Sequence, residues 1–186
     1  MATEIIRPNG LVTNDSSVTR GLFNATGDVG QELDNIQNAI ELLNDENTST
    51  GILGITAQSS QIWLTLGNLS TAVNNINSVK VYVHAKTYKA LTSQFKVLLS
   101  GPGGAVSAFY GNEENIQTGN ISSWETFTDN TTNWSTDIIN DMTVGIIWSV
   151  GATFIYEVYV EVNYQNSGTV KLSSGLIQLT SGKITL

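Results

Sequence analysis

The 186 residues include no cysteine, which excludes a disulfide framework and every thiolate-based metal, nucleophilic or redox site. There is a single histidine, His84, so a triad or metal centre built on it would need partners that are neither His nor Cys. Cationic residues are scarce: eight Lys and Arg stand against sixteen Asp and Glu, a formal net charge of −8. That excludes a general phosphate-backbone binder, whose affinity comes from clustered Lys and Arg. Lys80, Lys86, Lys89 and Lys96 come nearest to a patch, and Lys80 and Lys86 alternate onto the polar side of a strand. No stretch approaches the roughly twenty apolar residues of a membrane span. The first ten residues lack a charged segment followed by an apolar run, so no signal peptide is expected.

Charged residues make up only 13% of the chain, about half the usual share. Asn, Ser, Thr and Gly fill the gap, a mix suited to β-sheets with hydroxyl- and amide-rich outer faces. Residues 154–164 alternate with period two. Phe154, Tyr156, Val158, Val160, Val162 and Tyr164 fall on one side, expected to face a core; Ile155, Glu157, Tyr159, Glu161 and Asn163 fall on the other. Residues 79–88 alternate likewise, with Val79, Val81, Val83 and Ala85 inward and Lys80, Tyr82, His84 and Lys86 outward.

Further strands are expected over 51–55, 61–66, 94–100, 105–110 and 124–127, with 143–148 and 154–164 joined as a hairpin around 149–153. Arg7-Pro-Asn-Gly10 and Gly101-Pro-Gly-Gly104 read as turns; the second lacks the Lys-Ser/Thr and following helix of a phosphate loop. Asp28 and Gln31 form a variant capping box ahead of Leu33, Ile36, Ile40 and Leu43, which predicts an amphipathic helix over about 29–44. Trp134 opens a short helical turn capped by Ser135 or Thr136. The fold class is therefore mainly β: an antiparallel, jelly-roll-like β-sandwich with one N-terminal amphipathic helix and an extended C-terminal β tail. Expected boundaries are an extended arm over 1–27, the sandwich over 28–165 and the tail over 166–186. That tail carries a repeat of seven: Leu172, Leu179 and Leu186 recur, as do Gly175 and Gly182. Ser-Gly in each repeat disfavours a coiled coil, leaving two readings: pairing with another chain, as an added strand or an intertwined β segment, or a hairpin folded back on its own domain or a floppy end.

Candidate chemistry is thin. His84 reads as a surface histidine on an outward strand face. Asp45-Glu46, Glu113-Glu114 and Asp137/Asp141 read as solvated acids; glycosidase work would need two of them facing across a cleft, and Asp45-Glu46-Asn47 would hold a hard cation only loosely. Asn-x-Ser/Thr sequons at Asn14, Asn24, Asn47, Asn68, Asn120, Asn130 and Asn133 follow from composition. Trp63, Trp124, Trp134 and Trp148 read as core or interface anchors, with sugar stacking as the lesser reading. Residues 111–133 read as a polar, mostly loop stretch. No catalytic, cofactor-binding or metal residue is assigned, and no cofactor is expected.

Several segments together resemble small virion structural proteins of tailed bacteriophages, including those of cyanobacterial and other aquatic hosts. They are Ile5-Ile-Arg-Pro-Asn-Gly10; Ile40-Glu41 with Asn44-Asp-Glu-Asn47; Ile76-Asn-Ser-Val-Lys-Val-Tyr-Val-His-Ala85; residues 134–146 from Trp134; and Tyr159-Val-Glu-Val-Asn-Tyr164. The order of these segments, over about 1–165, carries the resemblance. A helix as long as 29–44 and the 171–186 repeat depart from the pattern. The resemblance implies a jelly-roll-like sandwich in a capsid, neck or tail, made in the host cytoplasm, without catalytic residues; charge and hydropathy lead to no expected nucleic-acid or membrane partner. The leading expectation is a capsid decoration or cement protein, homotrimeric, bound to the major capsid protein through the 1–27 arm or the C-terminal tail. The alternative is a tail or neck appendage binding a host receptor or glycan with Tyr110, Trp124 and Phe127. A glycan depolymerase is the least favoured reading.

Overall fold

The computed structural model describes residues 1–12, 22–24, 36–44, 50–55, 60–70, 72–88, 93–100, 106–116, 123–129 and 133–165. Its elements are β1 (Ala2–Ile6), β2 (Pro8–Leu11), β3 (Leu22–Asn24), α1 (Ile36–Leu43), β4 (Ile52–Ile55), β5 (Gln61–Leu66), β6 (Asn74–Thr87), β7 (Ser93–Ser100), β8 (Val106–Ile116), β9 (Ser123–Asp129), α2 (Thr136–Asn140), β10 (Thr143–Val150) and β11 (Ala152–Gln165). The strands pair into two sheets. The front sheet runs β3-β4-β11-β6-β9, with β1 also on β11; the back sheet runs β2-β5-β10-β7-β8. Every pairing is antiparallel.

Period-two alternation supplies the core. Val79, Val81, Val83 and Ala85 of β6 and Val158, Val160 and Val162 of β11 face Ile62, Leu64, Phe95, Val97, Leu99, Val144 and Ile146 of the back sheet, all at most 1% exposed. Phe127 of β9 reaches Phe95 across the two sheets, ring centroids 5.8 Å apart. Trp148 closes one end of this core, its indole Nε1 donating to the Thr153 carbonyl at 3.0 Å. Ala39 and Leu43 of α1 join the same core. Ser135 is the N-cap of α2, its hydroxyl accepting from the Ile138 amide at 3.3 Å, while Thr136 instead ties to the backbone of Val73.

Several sequence expectations are corrected. Residues 2–6 and 8–11 are not an arm: β1 zips onto β11 from Ala2↔Tyr164 to Ile6↔Val160, and β2 pairs with β5. The expected turn at 7–10 is instead a crossing from front to back sheet at Arg7, followed by a strand irregularity between Pro8 and Gly10. Residues 143–148 and 154–164 do not form a hairpin, because β10 lies in the back sheet and β11 in the front. Gly151, at φ 68, takes the left-handed conformation at that crossing, which a residue without Cβ adopts without strain. β8 runs to Ile116, so residues 111–116 are strand where a loop was expected, while β9 (Ser123–Asp129) contains the strand expected over 124–127. The described part of the expected 29–44 helix is Ile36–Leu43. Asp28 and Gln31, the 101–104 turn, Asp45-Glu46-Asn47 and the 166–186 tail lie outside the described residues.

The phase of β11 is also corrected. Its pairing with β6 slips between Ile155↔Ala85 and Glu157↔His84, leaving Tyr156 as an extra residue. This β-bulge reverses the phase, because two residues of one strand oppose one of the other. Ile155 therefore joins Val158, Val160 and Val162 in the core. The expected inward positions of Phe154 and Tyr156 are wrong; their rings stack on each other at 6.0 Å outside it. Gly51 makes room for the bulge: a Cβ there would meet the Ile155 carbonyl oxygen and the Tyr156 Cα.

Candidate binding site

The outer face of the front sheet carries a continuous layer of rings. Three strands build it in register. Tyr82 lies opposite Tyr159 on β11 and Thr126 on β9, and His84 lies opposite Glu157 and Trp124. Tyr82 and Tyr159 stack at 4.6 Å with planes 17° apart. Trp124 stacks on His84 at 4.8 Å and 22°, and meets Tyr159 edge-on at 5.3 Å. Tyr156 flanks His84 at 5.6 Å, and Phe154 continues the layer to Tyr88 at 5.6 Å. The Arg7 guanidinium lies over the Tyr159 ring, 5.7 Å from its centroid, a cation–π contact.

Polar groups border the rings on the same face. Lys80 pairs with Glu161 at 3.4 Å, and the Asn163 amide donates to Glu161 at 2.9 Å. Thr3 donates to Asn163 Oδ1 at 2.8 Å. Trp124, at 44% exposed, is the most accessible ring of the layer, while Tyr82 and Tyr159 are half-buried. The result is a cluster of rings, some stacked and some edge-on, with donors and acceptors along one side. Such a surface covers an apolar ring face and meets the hydroxyls at its edge.

Burial tunes the titratable groups here. His84 faces outward as expected, yet it is not a surface histidine: Trp124 and Tyr156 leave it 5% exposed. Burial pushes its pKa below the ordinary 6.5. Burial also raises Tyr156 and Tyr159 above 10.0; for Tyr159 the neighbouring Tyr82, Glu161 and Glu157 add to the rise and Arg7 opposes it. All three rings are thus held neutral near pH 7.

Of the residues expected to grip a glycan, the structure places only Trp124 on this surface. Phe127 lies on the opposite side of β9 and is 3% exposed in the core. Tyr110 belongs to β8 of the other sheet, pairing with Val97, and its side chain lies outside the described residues. Sequence reasoning missed Tyr82, Tyr159, Tyr156 and the stacked role of His84. The signal for Tyr82 and Tyr159 was present in the two outward strand faces. The signal for Tyr156 was not, because the bulge breaks the period. Trp134 and Trp148 are core residues, at 7% and 2% exposed. Asp137 and Asp141 are exposed on α2 and just after it. No group of three or more His, Asp or Glu placed to hold a metal occurs among the described residues. No described helix is long and apolar enough to cross a membrane.

No family model matches the chain, and no curated protein matches it. Solved structures similar to it include a domain of tailspike protein 4 of bacteriophage CBA120, at 14% identity and TM-score 0.45 over 87% of this chain. The chain spans 19% of that structure. Another is the CBM22-1 xylan-binding domain of Xyn10C from Paenibacillus barcinonensis, at 10% identity and TM-score 0.43, covering 87% of this chain and 96% of that one. A third is the Stig cyclase Fisc from Fischerella, at 12% identity and TM-score 0.43, covering 87% and 85%. Likeness at this level carries nothing about ligands.

Proposed function

We propose that this chain is a non-catalytic binding module of a tailed-phage particle, an appendage that holds a saccharide on the outer face of its front sheet. The observation that carries the binding reading is the ring layer of Trp124, Tyr82 and Tyr159, with Lys80, Glu161 and Asn163 beside it. Rings exposed on a rigid sheet bury a pyranose face at small entropic cost, and the bordering polar groups bond its hydroxyls. The phage context rests on the sequence resemblance. The decoration reading, with the chain as a trimer on the capsid shell, loses one support, because residues 2–11 are built into the sheets instead of forming a free anchor.

The test is a glycan array of host envelope polysaccharides followed by calorimetric titration of the hits. Trp124→Ala should weaken binding at least about tenfold, a loss of roughly 1.4 kcal/mol, with the circular dichroism spectrum unchanged. An array without hits, or equal affinity in Trp124→Ala and Tyr82→Ala, would rule the saccharide site out. Electron microscopy of particles separates the two placements: density over the whole capsid lattice supports decoration, and density at the neck or tail supports an appendage.

A further inference from the structure

The proposed saccharide surface stands on a residue that titrates. We propose that His84 is the positioning residue of this surface: its neutral ring holds Trp124 in place by stacking on it, and its protonation in acid dislodges Trp124 and releases the saccharide. This rests on the binding reading above.

The geometry is a closed stack. His84 points out of the sandwich, yet Trp124 roofs it at 4.8 Å with planes 22° apart, and Tyr156 walls it at 5.6 Å. Its Nδ1 is buried without a hydrogen-bond partner. A neutral imidazole tolerates this, because an unbonded ring nitrogen under an indole is a modest loss. An imidazolium carries a proton on both nitrogens, so a charged N–H would be buried without an acceptor.

The groups facing His84 decide the sign. From β6 come Tyr82 and Lys86, two residues to either side on the same face. From β11 come Tyr156, Tyr159 and the cross-strand partner Glu157, and from β9 the uncharged Trp124 and Thr126. Arg7 stands farther off, over Tyr159. Glu157 and the indole face favour the charged imidazole; Lys86 and burial oppose it. Burial is the stronger, and the pKa lies below 6.5. Acid therefore favours any arrangement that hydrates His84. Trp124 is the wall that yields: it sits on β9, the last strand of the front sheet, and is already 44% exposed. Tyr156, by contrast, is 8% exposed and fixed by the bulge.

The experiment uses the whole chain with tryptophan labelled at the indole nitrogen, followed by NMR from pH 8 to pH 4 without ligand. Trp124→Phe assigns the Trp124 signal. The expected result is a single titration of that signal with a midpoint below 6.5, matched by an affinity loss of at least tenfold for the saccharide that binds at pH 7. His84→Ala should weaken binding at every pH. His84→Phe, a ring without a titrating proton, should restore part of it and remove the acid dependence. A Trp124 signal that does not move with pH overturns the proposal, as does an acid loss that survives in His84→Phe. If no saccharide binds at any pH, the binding reading falls, and the unliganded Trp124 titration still decides the role of His84.

Discussion

A single methyl group added at Gly54 should destabilise the sandwich by about 3 kcal/mol. Gly54 sits in β4 with the Trp148 indole packed against its Cα, and a Cβ there would land on ring atoms Cδ2, Cε2 and Cζ2. The ring has no slack: Trp148 is 2% exposed, and its Nε1 is bonded to the Thr153 carbonyl, the residue opposite Gly54 in register. Thr153 is held in turn by its hydroxyl, which donates to Ser93 at 2.7 Å. Overpacking of this kind costs about 1–3 kcal/mol. If the ring retreats, a buried indole N–H loses its acceptor at a further cost of about 1–3 kcal/mol. Replacing Gly by Ala returns about 0.4–1 kcal/mol through the unfolded chain.

Urea unfolding followed by far-ultraviolet circular dichroism measures the net effect. With a slope of about 2 kcal/mol per molar, the midpoint should drop by about 1.5 M at unchanged slope. The cause is separable from a general backbone effect by a double-mutant cycle. Trp148→Val removes every ring atom that collides, so Gly54→Ala should cost at least about 1 kcal/mol less in that background. The reasoning is refuted if Gly54→Ala stays within about 0.5 kcal/mol of the parent, or if the two substitutions add.

Ser135→Ala removes the N-cap of α2 and should cost about 1 kcal/mol, read from the same urea curves; Thr136→Ala loses instead the two bonds to Val73. Thermal scans should show stability rising with pH on the acid side. His84 is held neutral below its ordinary 6.5, so the unfolded chain takes the proton first. The contribution is complete above 6.5 and is lost as pH falls through the folded value, and His84→Phe should flatten that limb. At the alkaline end the sign reverses: Tyr156 and Tyr159 are raised above 10.0, so stability is lost as pH climbs past that value.

The class of the fold was legible because alternation is a local signal. Val79, Val81, Val83 and Ala85 face the core as their spacing says. Connectivity was not legible. Whether 143–148 and 154–164 pair with each other or cross between sheets depends on partners distant in sequence, and the two strands look alike in either case. The N-terminal strands were hidden for a related reason. Residues 2–6 alternate weakly and gain strand structure only from the edge of β11 that they cover. The site was half legible. Trp124 stood out by its type, but Tyr82, His84 and Tyr159 become a surface only when β6, β9 and β11 lie side by side.

The bulge at Tyr156 links the error in strand phase to the site, and its removal can be predicted from the register. Deleting Tyr156 would leave Phe154 outward, Ile155 inward, Glu157 outward and Val158 inward, a strict alternation that keeps every core residue in place. A bulge in a strand of merely structural purpose would therefore be dispensable. The deleted chain should fold, losing about 1.5–3 kcal/mol for the buried Tyr156 ring. It should also lose the wall beside His84 and the stack with Phe154, so saccharide affinity should drop while the urea slope stays unchanged. If the deletion unfolds the chain, the bulge is set by the packing of Gly51 against Ile155 and Tyr156, and its tie to the ring layer is incidental. Full affinity in a folded deletion variant would show that the ring layer needs only Trp124, Tyr82 and Tyr159.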